Sequence, residues 1–235
     1  MLDVKIRQKV EDKTRLFWDD EIKKTFFTKV AQGTEIGHRI ADLVSDKTTG
    51  LLAVKFTAMF QRNQQGNKVP RSMGDIWLSS NGIAHPVNVK TSIAEHGGQP
   101  NMVSMKKLLA ALLEYRIDSY YLLFVKVSKV SKRLFASIHF VDMLDYLDYV
   151  HFDSGPGQIM LKSDAFFRAR ENKVVPQARS LSEKVDRLIE HMEGGERRLI
   201  KNRRASLRQF RVVADAYDPS RHIVTPALQA VFHLL

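Results

Sequence analysis

Apolar residues recur at helical spacing over residues 2–30, where Ile6, Val10, Leu16, Phe17, Ile22, Phe26, Phe27 and Val30 form one stripe. Gly33 interrupts the stripe. Thr34 then caps a second expected helix through Ile36, Ile40, Leu43 and Val44, which puts Glu35 in a first turn where the helix dipole favours a carboxylate. Residues 51–60 predict a strand, or a helix end leading into one, and the polar stretch 61–71 predicts a loop. The period then shortens to two. Asn81-Gly82 lies between two short apolar runs, and both residues tolerate the positive φ of a type I′ turn, so residues 73–91 predict strand, turn, strand.

Beyond a breaker-rich turn at 95–101, Val103, Leu108, Leu109, Leu112 and Leu113 describe an amphipathic helix over 102–114. Residues 119–128 are almost continuously apolar and aromatic, the pattern of a central strand buried on both faces. Residues 134–141 predict a strand paired with it across a basic turn. Residues 151–162, with Gly155-Pro156-Gly157, predict a loop ending in a short strand. The longest helical pattern of the second half runs from 181 to about 208, with Ser180 or Ser182 as its cap and an expected break at Gly194-Gly195.

The chain has 235 residues, enough for one sizeable core, so a single domain over 1–235 is expected, with a basic helical region at about 180–211. No stretch approaches the roughly eighteen uninterrupted apolar residues of a membrane span, and the first residues alternate charged with apolar side chains. A cytoplasmic location away from membranes is expected. With no cysteine, disulfides, thiolate zinc sites and cysteine nucleophiles are excluded. No P-loop, dinucleotide fingerprint or nucleophile elbow is present, and none of the eight histidines is spaced as a metal pair. Lys and Arg number 37 against 26 Asp and Glu, a formal charge of +11, which suits a partner rich in phosphate.

The hairpin gathers the candidate chemistry. Side chains alternate along a strand, so Asn88 and Lys90 share a face, and Asp75 on the partner strand joins them. An ordinary surface hairpin with Asp, Asn and Lys on its wet face is the plain alternative. Asp75-Ile76 followed by Val89-Lys90-Thr91, then Pro100-Asn101 and Ser104, resembles the PD-(D/E)xK nuclease superfamily, most closely its HincII-like type II restriction endonucleases. The chain departs from that pattern at position 88, where an acid is expected and Asn88 stands.

The resemblance implies an α/β fold with a restriction-endonuclease-like mixed central sheet flanked by helices, the catalytic core spanning about 33–141. It implies a twofold homodimer making magnesium-dependent double-strand cuts in double-stranded DNA at a short palindrome, leaving 5′-phosphate and 3′-hydroxyl ends. A cognate DNA methyltransferase in the same system is the expected companion. Asp75 is then the principal Mg2+ ligand, with Asn88, the main-chain carbonyl of Val89 and Glu35 as further ligands, and Lys90 handles the attacking water. Gln99, Asn101 and Ser104 approach the DNA, and Asn101 alternatively caps the following helix. By their charge, not by the resemblance, Lys106, Lys107, Arg71 and Arg204 are candidate phosphate contacts, with a solvated connector around Arg71 and a solvated helix face or dimer interface around Arg204 as the alternatives. Asn88 has three explanations. The enzyme uses it with Glu35 as second carboxylate, an original acid was exchanged for the amide, or the site binds without cutting. A sequence-tolerant DNA repair nuclease and a non-catalytic DNA-binding protein remain as alternatives.

Overall fold

A computed structural model describes residues 2–17, 19, 58–59, 64–65, 72–80, 82–93, 99–130 and 133–215. The expected helix around Thr34 and most of the 61–71 loop lie outside the described residues, as does the stripe beyond residue 17 apart from position 19. Met1–Gly195 forms one compact unit and Glu196–Leu235 a second. The described architecture is mixed α/β.

Helix α1 (Val4–Phe17) starts at Asp3, whose carboxylate accepts from the Lys5 N–H at 2.7 Å. Five strands, β1 (Ala58–Met59), β2 (Ile76–Ser80), β3 (Ile83–Ile93), β5 (Tyr121–Val130) and β6 (Arg133–Asp142), form one sheet in the order β1-β2-β3-β5-β6. Neighbours pair antiparallel except β3 and β5, which run parallel with Asn88 opposite Leu122 and Lys90 opposite Phe124. Gly82, at φ 77°, supplies the left-handed residue that the β2–β3 turn requires. The parallel pair needs a crossover, and β4 (Asn101–Ser104) with α2 (Met105–Leu113) provides it.

That crossover corrects one expectation. The helix starts at Met105, and Asn101–Ser104 is a strand of a second sheet, ordered β4-β8-β7 with β7 (Val150–Asp153) and β8 (Gln158–Leu161). Residues 151–162, expected as a loop ending in a short strand, do end in strand β8, but they also open in strand β7, so the stretch is a β-hairpin. Asn101 pairs opposite Met160 in that sheet, so it does not cap α2; Ser104 occupies the N-cap.

As the pattern of 119–128 predicts, Tyr121–Val125 is buried on both faces. Leu122 and Phe124 enter the large core with α2, the 3₁₀ segment Met143–Tyr149, the second sheet and helix α3 (Ser163–Glu171), where Phe124 lies 4.7 Å from Phe167 between ring centres. Tyr121 turns to the other face, stacks on Phe140 at 5.4 Å, and accepts from the Leu2 N–H. By their register with Leu122 and Phe124, Asn88 and Lys90 face the large core.

Helix α4 (Leu181–Asp215) begins with a reciprocal cap in which Glu183 accepts from the Ser180 N–H at 2.6 Å and Ser180 from the Glu183 N–H at 3.3 Å. The expected break at Gly194-Gly195 does not occur. The helix runs through both glycines because Gly195 packs on Phe152 of β7, so closely that a Cβ there would lie 2.6 Å from the Phe152 ring and 2.8 Å from its carbonyl oxygen. Glycine serves here for close approach, not as a stop signal.

Candidate active site

Asp75 immediately precedes β2, and its position depends on Gly74. A Cβ on Gly74 would sit 2.8 Å from both the Ile76 carbonyl oxygen and the Val87 nitrogen, so only glycine lets residues 73–75 lie this close to β3. Ser72 Oγ also donates to the Gly74 carbonyl. Held there, Asp75 Oδ2 accepts from the Val89 N–H at 2.7 Å, which fixes the carboxylate against the middle of β3. Val89 itself is buried in the sheet.

Asn88, on β3, is 4% exposed. Its amide nitrogen donates to the Met102 carbonyl of β4 at 2.7 Å and to the Tyr120 hydroxyl at 2.9 Å. Tyr120 in turn donates to the Met73 carbonyl at 3.0 Å. One buried network thus ties the segment before Asp75, strand β3, strand β4 and the start of β5. Because a carbonyl only accepts, Met102 settles which end of the Asn88 amide is nitrogen. Asn88 Oδ1 is left buried with no hydrogen-bond partner.

Lys90, two residues on and on the same face, is half-buried. Burial lowers its ammonium from the ordinary lysine value, and the Asp75 carboxylate opposes the shift. Burial also pushes the Tyr120 hydroxyl far up, against the hydrogen bond from Asn88, so Tyr120 stays a neutral bridge. These are not groups on a wet surface hairpin. Asn88 and Lys90 share one face of β3 as alternation predicts, whereas Asp75 lies just ahead of β2, not on it, and reaches β3 through the Val89 N–H, close enough for its charge to act on Lys90.

The other expected site residues divide. Met102, whose carbonyl holds Asn88, lies between Asn101 and Ser104, so the β4 segment is bonded directly to the site; Gln99 and Asn101 are exposed and Ser104 is half-buried. Lys106 and Lys107 are exposed in the first turn of α2. Arg204 is exposed on α4 within the second unit. Glu35 and Arg71 lie outside the described residues. Gly74 and Tyr120 were not expected from sequence. A tyrosine in an apolar run reads as core, yet its hydroxyl needs a partner once buried, and that need was the available signal.

The two oxygen donors present are of the chemical type that a hard divalent cation takes. Mg2+ takes oxygen ligands, and the site offers the Asp75 carboxylate and the unpaired Asn88 Oδ1. A buried acceptor without a partner costs about 1–3 kcal/mol, which coordination would offset. Among the described residues no three His, Cys, Asp or Glu side chains gather into a metal-holding group, so the set described is one carboxylate and one amide. Among the described residues no helix is long and apolar enough to cross a membrane. Compared with known proteins, the chain matches no family model, and no curated protein matches it significantly.

Proposed function

We propose that the protein is a magnesium-dependent endonuclease of the type II restriction class, acting as a twofold homodimer on a short palindrome in double-stranded DNA. The observation that carries this reading is the convergence of Asp75, Asn88 and Lys90 at the β2–β3 pair, with the lysine ammonium lowered by burial and opposed by the aspartate. The strand-strand-crossover-strand-strand order of β2, β3, β4–α2, β5 and β6 supports a restriction-endonuclease-like core. The formal charge of +11 supports a polyanionic substrate.

In this reading Asp75 and Asn88 Oδ1 hold the cation, with Glu35 as candidate second carboxylate. A bound magnesium ion supplies Lewis acidity at the phosphate and makes water easier to deprotonate. Lys90 Nζ orients the attacking water and takes its proton, a role suited to an amine shifted towards neutrality. The water oxygen bonds to phosphorus as the P–O3′ bond breaks and the leaving O3′ takes up a proton from solvent, giving 5′-phosphate and 3′-hydroxyl ends. The exposed Gln99 and Asn101 meet base edges or phosphates near the cut, and Lys106, Lys107 and Arg204 meet phosphates. A methyltransferase protecting the same sequence completes the system.

The test is plasmid cleavage with magnesium, followed by sequencing of the ends. Discrete fragments are expected, with Asp75→Ala and Lys90→Met each lowering the rate by at least about a thousandfold, as for loss of a principal catalytic group. Undiminished cleavage by Asp75→Ala sinks the assignment, and heterogeneous ends favour a sequence-tolerant repair nuclease. The commitment of the Asn88 amide to protein acceptors favours one second reading, a DNA-binding protein that shifts DNA in a gel and never cuts it.

A further inference from the structure

We propose that this site is built for an amide at position 88, as a neutral cation ligand locked by its own two donor bonds, so that a carboxylate there disrupts the site instead of completing it. The cation part of this inference rests on the nuclease reading; the packing part does not.

The argument starts from the two partners. Asn88 Nδ2 spends both hydrogens, one on the Met102 carbonyl at 2.7 Å and one on the Tyr120 hydroxyl at 2.9 Å. A hydroxyl can serve either as donor or as acceptor, so Tyr120 could turn its proton towards a carboxylate, giving up its bond to the Met73 carbonyl. The Met102 carbonyl has no such freedom. An aspartate at 88 would set an anionic oxygen against it, at a position 4% exposed where water cannot intervene. Met102 lies at the irregularity between the Asn101–Met160 and Ser104–Gln158 pairs, so its freedom to withdraw is limited by those flanking pairs and by the start of α2 at Met105.

The same bonds explain the orphaned oxygen. With Nδ2 fixed at both hydrogens, Oδ1 can only point away from Met102 and Tyr120, and it has no hydrogen-bond partner there. A buried acceptor held in one orientation without a partner gains a bond when a cation reaches it, and reaching it requires the groups around Oδ1 to open, because no water-sized space adjoins that atom. The amide therefore does two jobs a carboxylate cannot combine here, clamping β3 to β4 and presenting a neutral oxygen. The ionisable groups around it are Asp75 ahead of β2, Lys90 on β3 and the Tyr120 hydroxyl before β5.

The experiment compares full-length wild-type protein with Asn88→Asp and Asn88→Ala. Thermal unfolding is followed in EDTA without DNA, and Mn2+ binding is followed by electron paramagnetic resonance. The expected order of unfolding temperature is wild type, then Asn88→Ala, then Asn88→Asp, the last lower than wild type by more than about 5 °C, because alanine only removes donors whereas aspartate adds repulsion. Mn2+ affinity should fall at least about tenfold in Asn88→Ala. An Asn88→Asp protein that does not fold while Asn88→Ala does also supports the lock. An Asn88→Asp protein at least as stable as Asn88→Ala, binding Mn2+ more tightly than wild type, overturns it. Failure of the nuclease reading would appear separately, as no cleavage by wild type with the stability order intact.

Discussion

Gly74 sets the position of the one carboxylate that the described site contains. Adding a methyl group there pushes on Ile76 and on both polar backbone atoms of Val87, and neither strand can yield without moving Asp75 or β3. Gly74→Ala is therefore expected to cost about 1–3 kcal/mol of stability, the range for overpacking, and to lower plasmid cleavage at least about tenfold. Urea unfolding and cleavage rates measured on the same preparation check both parts; full activity would show that the close approach is dispensable. At this scale the sequence was informative where side-chain alternation governs. Asn88 and Lys90 share a face because the strand period is two, and that needs no tertiary information. Gly74 and Tyr120 were hidden because their importance lies in what other segments bring next to them. The burial of Asn88 was hidden for the same reason, since β4 covers it only in the folded chain.

Among the elements, α4 shows how a local signal can mislead. Glycine pairs usually mark a helix end, yet Gly195 lies inside a continuous helix and allows it to touch β7. Helix propensity alone would have Gly195→Ala stabilise the protein by about 1 kcal/mol. The 2.6 Å approach to the Phe152 ring predicts the reverse, a net loss of about 1–3 kcal/mol, measurable by urea unfolding. A stabilised variant would mean that α4 and β7 do not pack this tightly. Strand β4 escaped notice for a related reason. Grouping Val103 with the stripe of Leu108 and Leu112 overlooks that it lies five and nine positions from them, off their helical spacing, and a strand of four residues is too short to establish a rival period. By contrast β5, β6 and the Ser180 cap were legible, because a long apolar run and a reciprocal Ser–Glu pair each point to one structure.

For the whole molecule, two buried groups give acid stability opposing slopes. Burial raises Asp142 from 3.8 to about 6, with Lys184 opposing, and burial lowers His139 from 6.5 to about 4, reinforced by Arg170 and Arg15. Asp142 holds its proton more tightly folded than unfolded, so its contribution is complete below about pH 3.8 and declines as pH climbs to about 6. His139 is the reverse case. Its folded pKa is depressed, so its contribution is complete above pH 6.5 and is lost as pH falls towards 4. Asp142 and His139 oppose each other between pH 4 and 6, but burial also lowers His85 and His191, which add to the loss on the acid side, so the unfolding temperature should fall as pH drops through that window. Asp142→Asn removes one arm, and its unfolding temperature should then fall on acidification more steeply than that of wild type. Parallel curves for the two proteins would refute the assignment.

The parallel pairing of β3 with β5 has a consequence for when the candidate site comes into being. Asn88 and Tyr120 stand 32 positions apart, and the crossover through β4 and α2 must close before they meet. Such distant contacts form late, after the entropy of the intervening loop has been overcome. A ribosome-bound chain that has emerged only as far as the hairpin therefore carries Asp75 and Lys90 without the frame that aligns them. Under the proposed nuclease reading, any cutting of host DNA would stay latent until synthesis has passed the fifth strand.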